Sequence, residues 1–77
     1  MKVLNVIVEG KNQLIRYSKT KNSDGLIVFS VETTIPNHEH FQFLIRNGKA
    51  EIFLVSEEDR RIKSQIISQI DKVDAKG

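Results

Sequence analysis

Five runs of alternating apolar and polar residues, each bounded by Gly, Asn, Asp or Pro, precede one stretch in which apolar residues recur every three or four positions. The alternation has the period of a half-buried β-strand, and the later spacing that of an amphipathic helix. The pattern predicts strands over residues 2–9, 13–19, 26–33, 39–46 and 50–55, then a helix over about 57–73. The sharpest mark is Asn47 followed by Gly48, set between Phe41-Gln42-Phe43-Leu44-Ile45-Arg46 and Lys49-Ala50-Glu51-Ile52-Phe53-Leu54-Val55. Such a pair signals a hairpin, because a type I′ turn needs two residues that tolerate positive φ. Gly10, Lys11 and Asn12 are expected to close the first hairpin, and residues 21–25 form a turn-rich loop. Pro36 and Asn37 break the chain before the fourth strand. Connections this short join antiparallel neighbours. The expected fold is α+β: an antiparallel five-stranded meander, free to coil into a half-barrel, with one C-terminal helix packed on one face. Residues 1–77 are expected to form a single domain.

Ser56 is a favoured N-cap, and Asp59 three residues later completes an approximate capping box. Glu57, Glu58 and Asp59 in the first turn and Lys72 in the last complement the helix dipole. These first-turn acids are read as helix chemistry rather than a catalytic cluster. Ile62, Ile66, Ile70 and Val73 fall on one stripe, with Ile67 beside it. A two-residue turn at Asn47 and Gly48 would pair Arg46 with Lys49, Ile45 with Ala50, Phe43 with Ile52 and Phe41 with Leu54. That parity sends Phe41, Phe43, Ile45, Ala50, Ile52 and Leu54 to the helix side, with Phe29 and Val31, Val6 and Val8, and Ile15 and Tyr17.

The opposite sheet face is richer in apolar residues than a solvated face normally is. By parity it carries Val3, Ile7, Leu14, Leu26, Val28, Leu44, Phe53 and Val55 among polar neighbours. One helix cannot cover both faces, and large exposed apolar patches on small proteins usually mark a partner surface. Leu44, Phe53, Val55 and Val28 are therefore the candidate interface, with a second copy of the chain (a dimer) or another protein as the partner. The competing expectation is that the sheet coils and buries this face on itself.

Composition narrows the chemistry. There is no cysteine, so disulfides and Cys-based catalysis are excluded. No stretch approaches the roughly 20 apolar residues of a membrane span. The apolar N-terminal run is interrupted by Asn5 and ends at Glu9, which reads as a strand rather than a signal peptide. A cytoplasmic protein without membrane association is expected. No serine sits in a nucleophile elbow and no glycine-rich loop could cradle a phosphate, so a non-enzymatic module without a cofactor is expected.

Two further sites merit testing. His38 and His40, two residues apart on an expected strand, would share a face, and Glu32 would lie opposite His40 if Phe29 pairs with Phe43; together they form a candidate metal site. The formal net charge is only +2. Even so, Lys19, Lys21, Arg46 and Lys49 should gather at one end of the meander, with Lys72 and Lys76 brought toward them and Asp24, Asp71 and Asp74 diluting them. A basic end can meet phosphates. An antiparallel meander followed by one helix is similar in topology, though not in strand count or sequence motif, to the repeat of PUR-type domains. That analogy implies a single-stranded nucleic acid as the alternative partner.

Overall fold

The computed structural model describes residues 1–74. Its elements are β1 (Lys2–Val8), β2 (Lys11–Lys21), β3 (Ile27–Glu32), β4 (His40–Arg46), β5 (Lys49–Glu51) and α1 (Glu57–Asp74). The strands form one antiparallel sheet in the order β1-β2-β3-β4-β5, curled into a half-barrel with α1 against its inner face. The fold is α+β, as the hydrophobic pattern predicts.

The register explains the core. Tyr17 lies opposite Val31, Phe29 opposite Phe43, and Val31 opposite Phe41. These inward residues join Val6, Val8 and Ile15 beneath Ile62, Ile66, Ile67 and Ile70 of the helix. The Phe29 and Phe43 rings stack across neighbouring strands with centroids 4.7 Å apart. At about 1.5–3 kcal/mol for each fully buried large apolar side chain, this packing outweighs the roughly 1 kcal/mol of the helix cap. The cap itself forms as expected, with the Asp59 N–H donating to Ser56 Oγ at 3.0 Å.

Several boundaries differ from the pattern. The first hairpin turns on Glu9 and Gly10, both at positive φ (51° and 78°), so β2 begins at Lys11 rather than residue 13. The helix holds this unexpected turn. Gln65 accepts the Glu9 N–H, while Arg61 and Gln65 both donate to the Glu9 carboxylate. β5 stops at Glu51, so the expected Phe43–Ile52 and Phe41–Leu54 pairs do not form. Ala50 is exposed and Ile52 and Leu54 only half-buried, because α1 packs chiefly along β1 and leaves the β5 side open. Val73 is 48% exposed instead of buried. Steps of four residues advance about 40° around a helix. The sheet-facing line therefore runs from Ile62 through Ile66 and Ile70 to Asp74, which Lys19 and Lys2 meet at 2.7 and 3.6 Å. Val73 falls to the flank.

The candidate surface on the beta4–beta5 side

The outward face is not one continuous apolar patch. Two cross-strand rows divide it: Arg16, Glu32 and His40, and Ser18, Ser30 and Gln42. The Gln42 amide donates to Ser30 Oγ at 3.0 Å, which ties the second row together. Val3, Ile7 and Leu14 stay exposed on the β1–β2 side of these rows. On the far side, Val28 lies opposite Leu44, both half-buried. Phe53, 83% exposed, joins them around a depression of about 490 Å³. Of the four expected interface residues, the fold thus brings together Val28, Leu44 and Phe53. Val55 is also exposed, but it lines a separate hollow beside Asn37, His38 and Ser56.

The inner side of the same region is open too. A groove of about 600 Å³ separates the hairpin from α1, floored by Ile45, Ala50, Ile52, Leu54 and Ile67. Its helix-side rim carries Arg60, Ser64, Ser68 and Asp71. The two serine hydroxyls donate back to helix carbonyls, those of Arg61 and Gln65, rather than across the groove.

The two sheet edges are treated differently. Antiparallel alternation points the backbone groups of Ile7 away from β2. Gln69 takes both: its Oε1 accepts the Ile7 N–H at 2.9 Å and its Nε2 donates to the Ile7 carbonyl at 2.8 Å. One carboxamide thus occupies the place of a neighbouring strand. At the other edge, Arg46 faces Lys49 and Leu44 faces Glu51 as the hydrogen-bonded pairs that follow a two-residue turn. Ala50 between them directs its N–H and C=O away from β4, and no backbone group of the described residues meets them.

The histidines part company. β4 starts at His40, leaving His38 in the preceding loop. His38 N–H donates to the Ile35 carbonyl, and Thr33 Oγ1 donates to the His38 carbonyl. Its ring is buried, with Nδ1 3.2 Å from Asp59 Oδ1. His40 lies on the outer face, with Nδ1 3.8 Å from Glu32 Oε1. The expected Glu32–His40 register holds, but the shared face for His38, His40 and Glu32 does not. Among the described residues no three His, Cys, Asp or Glu side chains come together as a metal-holding group.

Asp59 is the buried acid that the pattern did not single out. Its carboxylate accepts from Lys63 Nζ at 2.8 Å and from the Val55 N–H at 3.1 Å. The Lys63 hydrogen bond holds the Asp59 carboxyl below the usual carboxylate range, against the opposing effect of burial. Lys63 Nζ also lies 5.3 Å from the Phe41 ring centroid. The three groups lock the start of α1 onto the sheet.

The expected basic end divides as well. Lys19 and Lys21 share the parity of Ile15 and Tyr17 and belong to the helix side, whereas Arg46 and Lys49 belong to the outer face. Lys19 is paired with Asp74 and Arg46 with Glu51, at 2.7 and 2.8 Å. Lys76 lies outside the described residues. The four cations share an end of the sheet but not a surface. No described helix is long and apolar enough to cross a membrane. No family model matches the chain, and neither a curated protein nor a solved structure was found to match it.

Proposed function

We propose that this chain is a small non-enzymatic interaction module whose copies associate through the β4–β5 side. The observation that carries the reading is Phe53, 83% exposed beside Val28 and Leu44 at the margin of the sheet. Burying one aromatic ring of this kind contributes roughly 1.5–3 kcal/mol, about a fifth to a third of the roughly 8 kcal/mol of a micromolar association. The splitting of Lys19 and Lys21 from Arg46 and Lys49 removes the main support for nucleic acid as the partner.

Sedimentation velocity across a hundredfold range of concentration tests the reading. Wild-type protein is expected to reach a dimer, and Phe53→Glu to weaken the association at least tenfold while retaining its circular dichroism spectrum. A wild-type monomer throughout that range overturns the proposal.

A further inference from the structure

Helix α1 covers the β1 edge at Ile7 and leaves the β5 edge at Ala50 uncovered. Gln69 satisfies the outward backbone groups of Ile7 on β1, and Gln65 accepts the N–H of Glu9 in the turn that follows. On the opposite flank of α1, Ser64 and Ser68 turn back to their own helix. The N–H and C=O of Ala50 are thereby left at the margin of an apolar groove. Edge strands in this condition are templates for another strand.

We infer that β5 pairs with β5 of a second copy, antiparallel about a two-fold axis at Ala50. This inference rests on the self-association proposed above and names its contact. The residues of the edge strand, Lys49, Ala50 and Glu51, carry opposite charges on either side of a small residue. Antiparallel pairing about Ala50 sets Lys49 of each copy opposite Glu51 of the other, so both cross-strand pairs are attractive. A parallel arrangement in register would set like charges together. The two Ala50 residues would exchange two backbone hydrogen bonds across the axis, as directly opposed residues do in a narrow pair. Continuing the register, Gly48 faces Ile52 and Asn47 faces Phe53 of the other copy. The two Phe53 patches then flank the axis on the outer face, and the two apolar grooves adjoin on the inner face. The contact is isologous and consumes the open edge, so it closes at a dimer instead of growing into a fibre.

The charges supply the test. Lys49→Glu places four acids at the axis and Glu51→Lys places four lysines, so each variant alone is expected to lose at least tenfold in dimer affinity. An equimolar mixture of the two should form a heterodimer, and the Lys49→Glu/Glu51→Lys double variant should dimerise nearly as well as wild type. Amide exchange adds a readout of the backbone itself: Ala50 N–H exchange should slow at least about tenfold as wild type passes from dilute to concentrated solution. If wild type dimerises with the Ala50 amide unchanged and the mixture shows no heterodimer, the copies meet face to face and the edge pairing is wrong, while self-association stands. A wild-type monomer at all concentrations removes both.

Discussion

At the scale of single residues, the charge buried at the start of α1 ties stability to pH. Glu57, Glu58 and Asp59 read alike as first-turn acids, yet only Asp59 is buried, with His38, Lys63 and the Val55 N–H around it. Nothing local distinguishes the three; the position of the loop holding His38 does. Hydrogen bonds from Lys63 and Lys19 hold the Asp59 and Asp74 carboxyls below their ordinary values, despite burial. A carboxyl whose pKa is lower in the folded state contributes stability that is complete above the unfolded value, about 4, and is lost as pH falls below it. Urea midpoints measured from pH 7 down to pH 2 should therefore fall steeply below about pH 4. Asp59→Asn should cost about 1–3 kcal/mol at neutral pH, since it weakens the acceptor for Lys63 and Val55, and it should flatten the acid limb. An unchanged acid limb would show that Asp59 does not carry this dependence.

At the scale of elements, alternation and the Asn47–Gly48 turn located all five strands, and the capped isoleucine stripe located the helix. The ends moved for reasons outside the local pattern. Glu9 adopts positive φ because Arg61 and Gln65 grip its side chain and backbone, contacts made 52 and 56 residues away along the chain. β5 ends at Glu51 although the apolar alternation continues to Val55, because residues 52–55 must leave the sheet to begin α1 at Glu57. Gln65 and Gln69 look like ordinary solvent-facing helix residues in sequence; the fold sets them over Ile7 and Glu9 at the end of β1. Gln69→Ala removes two hydrogen bonds to Ile7 and should destabilise the domain by about 1–2 kcal/mol. It should also raise light scattering on warming, because an uncovered edge promotes strand addition. A variant as stable and as clear in solution as wild type would reduce the Gln69 contact to a surface detail.

At the scale of the whole molecule, association and folding are linked, since a ligand or partner that binds only the native state stabilises it. If copies pair through β5, the wild-type urea midpoint should climb with protein concentration, and that of Lys49→Glu should not. A midpoint independent of concentration in both would count against a native dimer. The hydrophobic pattern by itself determined the class of fold, the order of elements and most of the core, because period-2 and period-3.6 spacing are local properties of the backbone. The Phe29–Phe43 register, only a condition in the sequence, was set by the assembled sheet. The tertiary structure decided which surface is available. Helix α1 settled against β1, where its glutamines find unpaired backbone groups, and that choice left the Ala50 edge, the inner groove and the Phe53 patch uncovered. The same placement drew His38 inward to Asp59 and Lys19 to Asp74, dispersing the clusters that linear spacing suggested. Spacing along a strand fixes which face a side chain takes, but partners for charge and for free backbone groups come from segments far apart in sequence.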